Sequence, residues 1–384
     1  MASVQIFNLN TRIIFGAESL QELPVEGRAL GGKVLVVTGK NAMRQTGKLQ
    51  QIEILLRGSG FRVYVFEEVE PEPSLDTIRK GLELARSNEV DWVVGLGGGS
   101  AMDAAKVIAG LYSADQDVGY YFNGAPIGVP GLPLVTVPTT AGSGAEVTFN
   151  AVVSDLQQKV KKSIRDPLLT PRVAIVDPKL TLSLPYNTTV YSGMDALVQA
   201  IEAYTSRKAS PLTDIYAYSA IERISSNILK VYNDGSNLQA RTEMSLGSLM
   251  AGIALSNARL GAVHGLAHSI GIRTGKPHGL VCAVLLVPVM RFNMQVCYEK
   301  YATIASALGF NPGGGDPIDS AALAIKNIMS LERKLGIPTH ISSIGVTEAD
   351  FPAIVADSLP SGSLKANPRE ASAEDLMNIL RENF

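Results

Sequence analysis

Residues 92–106 read WVVGLGGGSAMDAAK, and this stretch decides the fold. Its first four residues are an apolar, β-branched run suited to a buried strand. Gly97, Gly98, Gly99 and Ser100 follow, and from about Met102 the pattern becomes helical. A strand that turns through glycine into a helix is half of a βαβ unit. Glycine lets the backbone approach a ligand closely, and the amides at the helix start favour an anion. Asp103 and Lys106 fall on the first turns of that helix. The loop therefore reads as a cradle for a diphosphate, set against the plainer reading of a tight strand–helix turn. Gly95 and Gly97 match G-x-G, but Ser100 stands where the dinucleotide fingerprint has its last glycine. The motif speaks for a nucleotide phosphate without saying which nucleotide.

The same texture extends outward. Residues 33–37 (KVLVV), 62–66 (RVYVF), 134–137 (LVTV) and 173–176 (VAIV) read as further buried strands. Residues 74–87 and 101–111 are helical in pattern, so the alternation predicts a parallel sheet covered on both faces. Residues 4–15 alternate around Asn8 and Asn10, which suggests an extra N-terminal hairpin. A polar turn, PTTAGSGAEVT at 138–148, follows one strand; it either adds donors to the same ligand or is an ordinary capped loop. Beyond Pro185 the strand signals stop. Residues 189–206, 212–232, 241–257, 262–273 and 279–293 carry helical periodicity. The expected organisation is an α/β domain over 1–184 and an all-helical domain over 185–384, with a cleft between them as the default place for a site.

Composition agrees with a layered globular protein. The chain has 384 residues, 46% hydrophobic and 18% charged, enough for about two large cores. A net charge of −2 and no basic tract leave no expectation of a nucleic-acid partner. The two cysteines, Cys282 and Cys297, form no C-x-x-C pair, so neither a disulfide framework nor a thiolate metal site is expected. The start MASVQIFNLNTRIIFG lacks a signal-peptide pattern, and the expected compartment is the cytoplasm. The apolar stretch 279–289 (GLVCAVLLVPV) is short for a bilayer span and contains Pro288; it reads as a buried helix, with no membrane partner.

Four histidines occur, and three cluster as His264, His268 and His278. His264 and His268 share one helical face, as do Asp195 and Gln199 upstream. One carboxylate and two imidazoles suit Fe(II) or Zn(II), whose open coordination position polarises a carbonyl. The competing reading makes them satisfied core residues, and spacing alone leaves both open.

On these motifs the chain resembles the iron-containing (group III metal-dependent) alcohol dehydrogenases. The likeness runs through TRIIFG (11–16), GGGSAMDAAK (97–106), PTTAGSGAEVT (138–148), VDPKL (176–180), SGMDAL (192–197), HGLAHSIG (264–271), PHG (277–279) and NPREAS (367–372). It implies a Rossmann-like parallel-sheet domain plus an all-α domain, the fold shared with dehydroquinate synthase. It implies a homodimer or larger homo-oligomer and reversible NAD(P)-dependent hydride transfer between a small alcohol and its aldehyde or ketone. By the same likeness, Gly97, Gly98, Gly99 and Ser100 hold the diphosphate, and Asp103, Thr139, Thr140, Ser143, Lys161 and Leu180 line the rest of the cofactor site. Asp195, His264 and His278 become metal ligands, and His268 a member of the proton relay.

Two positions depart from the family pattern. The fourth ligand is a histidine in the family and Gln199 here. An amide oxygen is a weaker ligand than imidazole. Three readings stay open: Gln199 ligates through its oxygen, the remaining triad holds metal alone, or the enzyme is a metal-independent carbonyl reductase. Second, many relatives carry an aspartate after the first Rossmann-type strand, which would repel a 2′-phosphate. Here Gly39 and Lys40 stand there: the missing carboxylate favours NADP(H) over NAD(H), or at least permits it, and Lys40 adds to this unless it is a solvated surface lysine. A non-redox, dehydroquinate synthase-like lyase is the rival within the same architecture.

Overall fold

In the computed structural model, which describes residues 4–158, 160–310 and 316–384, two compact units form. Leu9–Thr140 and Gly144–Leu184 make one; Pro185–Phe384, Ala141–Ser143 and residues 4–8 make the other.

The first unit carries strands β1 (Arg12–Phe15), β2 (Lys33–Gly39), β3 (Arg62–Val69), β4 (Trp92–Gly97), β5 (Leu134–Pro138), β6 (Asn150–Asp155), β7 (Val160–Arg165) and β8 (Val173–Val176). Six of them form one parallel sheet in the order β1-β8-β5-β4-β2-β3, while β6 and β7 pair antiparallel by themselves. The side-chain period of two feeds separate cores on the two faces. Val34 and Val36 pack with Leu49, Ile52 and Leu56 of helix α1 (Lys48–Gly58). Leu35 and Val37 pack with Ile78 and Leu82 of α2 (Leu75–Ser87) and with Ala104 and Ile108 of α3 (Gly99–Gly110). Burial on both faces is why these strands are continuous apolar runs rather than alternating ones.

The second unit packs α4 (Tyr186–Thr205), α5 (Pro211–Asn233), α6 (Leu238–Ala258), α7 (Ala262–Thr274), α8 (His278–Ala307), α9 (Pro317–Lys334), α10 (Phe351–Ser358) and α11 (Ala373–Glu382) around one apolar core. Every residue of α4 from Gly193 to Thr205 is buried, so its polar side chains sit inside the unit.

Two expectations need correction, and one pair of strands lies outside them. Residues 4–15 do not form a hairpin: only β1 is a strand, and it pairs parallel with β8. The β6–β7 pair was not anticipated, because VKKSIR lacks apolar alternation. Helix α8 does not stop at 293; it runs through Pro288 to Ala307 because Cys297, Tyr301, Ile304 and Ala305 continue its buried stripe. Among the described residues α8 has the length and apolarity of a bilayer span, with 67% of its apolar window buried inside the protein.

Candidate active site

Strands β2 and β4 are neighbours, yet the helices that follow them lie on opposite faces of the sheet. Such a topological switch point opens a crevice at the carboxyl ends of the strands. Those ends carry Gly39 and Lys40 on one side and Gly97 to Ser100 on the other. Gly97 has φ 145°, and a Cβ there would stand 2.8 Å from Ala101 Cβ, so only glycine makes this turn. Gly98 is the N-cap of α3 and brings no capping side chain, which leaves the helix start to a ligand. The Thr139 amide donates to Gly97 O at 2.9 Å, and Thr140 lies against Gly98. These residues form one polar rim.

The remaining expected cofactor residues divide. Ser100 Oγ accepts from the Glu72 amide at 3.2 Å, and Lys161 on β7 pairs with the Glu72 carboxylate. Glu72, absent from the sequence reading, thus joins Lys161 to the glycine loop. Lys40 is exposed beside the loop's β2 edge, and Gly39 leaves ordinary contact room, with Val69 O 3.5 Å from where a Cβ would be. Asp103 and Lys106 face inward. Lys106 donates to Thr148 Oγ1 and Asn150 O, both at 2.8 Å, and Asp103 accepts from the Val152 amide at 2.9 Å. Together they fasten β6 onto α3. Burial raises the Asp103 pKa and lowers that of Lys106, each offset in part by the other. Leu180 lies in the apolar core that holds Leu96 and Val137, and Ser143 belongs to the helical unit.

The helical unit brings Asp195, Gln199, His264, His268 and His278 together. Asp195 Oδ1 is 3.5 Å from His264 Nε2 and 3.8 Å from His278 Nε2. Ligand atoms about 2.1 Å from one tetrahedral ion sit about 3.4 Å apart. Asp195 Oδ1 and His264 Nε2 are buried and make no hydrogen bond, as does Gln199 Oε1. Buried polar atoms left this way need a partner, and a divalent cation fits the donor set. Gln199 donates its amide N–H to Asp195 Oδ2 at 3.0 Å, which steadies the carboxylate. The ring of His268 stacks on His278, centroids 5.2 Å apart.

Two further residues complete the cluster: Glu202, which the sequence did not single out, and Cys282, which the sequence set aside as no metal site. Glu202 Oε2 lies 2.6 Å from His264 Nδ1, so that nitrogen carries the proton and Nε2 faces Asp195. Its other oxygen accepts the Val263 amide at 2.7 Å and caps α7, whose N-cap Gly261 has no side chain to do so. Asn367, within NPREAS, accepts the Ala262 amide beside it. Cys282 is the second: its Sγ lies 3.5 Å from His278 Nε2, and one donor atom each from Asp195, His264, His278 and Cys282 falls within 4.8 Å of all the others. Burial opposes charging His264, but Cys282, Glu202 and Asp195 around it outweigh this and hold its pKa well above the usual imidazole value. Burial pushes the Cys282 thiol up to about 11.

Comparison with known proteins agrees with this architecture. Residues 10–178 match the iron-containing alcohol dehydrogenase family, and residues 189–384 match the C-terminal domain of the Fe-containing alcohol dehydrogenase family. The chain is 39% identical to 1,3-propanediol dehydrogenase of Citrobacter freundii over 96% of both chains. It is 33% identical to the NADPH-dependent butanol dehydrogenase of Clostridium saccharobutylicum, over 97% of this chain and 96% of that one. A crystal structure of 1,3-propanediol oxidoreductase superposes with a TM-score of 0.96 at 38% identity, covering 100% of both chains. Fold and relatives together define an oxidoreductase of alcohols and aldehydes, which sets the non-redox lyase aside. The chain belongs to the iron-containing alcohol dehydrogenase family, and membership implies a nicotinamide cofactor and a metal.

Proposed function

We propose that this chain interconverts a small primary alcohol and its aldehyde, or a ketone, by reversible, metal-assisted hydride transfer with NADP(H) favoured over NAD(H). The observation that carries it is the convergence of Asp195 Oδ1, His264 Nε2 and His278 Nε2, two of them buried without a hydrogen bond. In this reading Asp195, His264 and His278 hold the metal, and Gly97, Gly98, Gly99, Ser100, Thr139 and Thr140 hold the diphosphate. When bound, the metal polarises the substrate oxygen and the nicotinamide carries the hydride. Glu202 fixes the His264 tautomer, Gln199 steadies Asp195, and His268 moves the proton to or from the alcohol oxygen. The missing carboxylate after β2 and the exposed Lys40 support NADP(H), as does the likeness to an NADPH-dependent relative. Homo-oligomeric assembly rests on the family likeness.

The test is aldehyde-dependent NADPH oxidation by protein stripped of metal, titrated with Fe(II) and then Zn(II). Activity that vanishes on stripping and returns with metal supports the reading. Activity indifferent to metal supports the second reading, a metal-independent reductase, which the Gln199–Asp195 hydrogen bond favours because it partners the carboxylate without an ion. In the same assay His268→Ala is expected to lower kcat by 10²-fold or more, roughly the worth of a general acid–base group, with cofactor affinity retained; unchanged kcat removes His268 from the relay.

A further inference from the structure

We infer that Cys282 is a metal ligand in this enzyme: its thiolate takes the fourth position that Gln199 leaves, and the centre so formed selects zinc. The inference rests on the metal-assisted reading above and specifies its donor set.

Position 199 supplies no imidazole, and its amide N–H is directed at Asp195 Oδ2, 3.0 Å away. Gln199 thereby acts on the carboxylate through its amide N–H, while its Oε1 accepts no hydrogen bond. The structure offers a substitute donor one helix away. Cys282 lies one turn beyond His278 on the first turns of α8, so both present their donors on the same face. Cys282 is fully buried, and its Sγ stands 3.5 Å from His278 Nε2. A sulfur at about 2.3 Å and a nitrogen at about 2.1 Å from one tetrahedral ion lie about 3.6 Å apart. The four donor atoms, all within 4.8 Å of one another, need only a small contraction to close on an ion. Cys297, by contrast, is buried elsewhere on α8 and joins no such cluster.

The chemistry follows from the donors. A thiolate is a soft ligand and shifts preference toward Zn(II), or toward Co(II) as its spectroscopic stand-in, whereas carboxylate and imidazole alone suit Fe(II) equally. Two anionic ligands, Asp195 and Cys282, balance the dication. Binding replaces the S–H bond by an S–metal bond and releases the proton to solvent.

The experiment uses the full chain, stripped with a chelator and titrated with Co(II), with bound metal measured separately by elemental analysis. The expected result is stoichiometric uptake with a thiolate-to-cobalt charge-transfer band in the near ultraviolet that saturates with it. Zn(II) should bleach the band by displacement, and an equal concentration of Fe(II) should not. Cys282→Ser should lose the band, and Cys297→Ser should keep it; if Cys282→Ser fails to fold, the wild-type and Cys297→Ser spectra still decide. Stoichiometric uptake without the band, or a band that survives in Cys282→Ser, overturns the thiolate ligand and leaves the metal-assisted reading standing. No uptake at all overturns both.

Discussion

Glu202 uses its two oxygens for different work. One orients His264 and the other caps the helix on which His264 sits. Neither task has a motif, which is why the residue was illegible in the sequence, although Asp195, Gln199 and Glu202 do fall on one face of α4. The histidines were legible because their spacing is itself the signal. Cys282 was not, since a single cysteine among aliphatic residues reads as packing. Replacing Glu202 by Gln keeps an acceptor for the Val263 amide but removes the charge beside His264. The expected result is a metal affinity lower by about 10–100-fold with a small change in thermal stability, measured by competition against a chromogenic chelator. Unaltered affinity would reduce Glu202 to a helix cap.

At the level of elements, close approach governs the metal centre. Gly279 opens α8 where it crosses α4, and a Cβ there would fall 2.1 Å from Tyr191 O and 3.2 Å from Asp195 Cβ. Any side chain must push the start of α8, and with it His278 and Cys282, away from Asp195. Gly279→Ala is therefore expected to cost about 1–3 kcal/mol and to weaken metal binding; urea denaturation reads the first and metal titration the second. A variant as stable as wild type would mean that α8 shifts freely at that point. The same contrast of strong and weak local signals explains which elements could be read in advance. The sheet strands announced themselves as apolar runs between helical patterns. The β6–β7 pair did not, because it is held by Lys106 and Asp103 reaching from α3, contacts with no counterpart in its own sequence. Pro288 did not stop the reading, although a proline inside a helix normally ends it; the far end of α8 was missed, because beyond 293 only the widely spaced Cys297, Tyr301, Ile304 and Ala305 carry its buried stripe.

Over the whole molecule, each unit buries a carboxyl that resists ionisation. Burial raises Glu146 from 4.5 to about 7 and Glu332 from 4.5 to about 8. Above about 4.5 the unfolded chain gives up these protons while the folded one keeps them, so rising pH favours unfolding until the folded groups ionise as well. Their contribution to stability is full below 4.5, falls as pH climbs to about 8, and is flat beyond. Glu146→Gln should remove about 3 kcal/mol of that descent, seen as a flatter plot of urea midpoint against pH; a variant that falls as steeply as wild type would exclude Glu146 as a source. The placement of β1 has a consequence in time. Thr11 donates its hydroxyl to Pro171 O, 160 residues on, and β1 pairs along its length with β8. Contacts so distant in sequence form slowly, since a long loop must close first. During synthesis the first strand made has no partner until the last strand of the sheet has left the ribosome. The order in which the chain is written is thus the reverse of the order in which this edge of the sheet is completed.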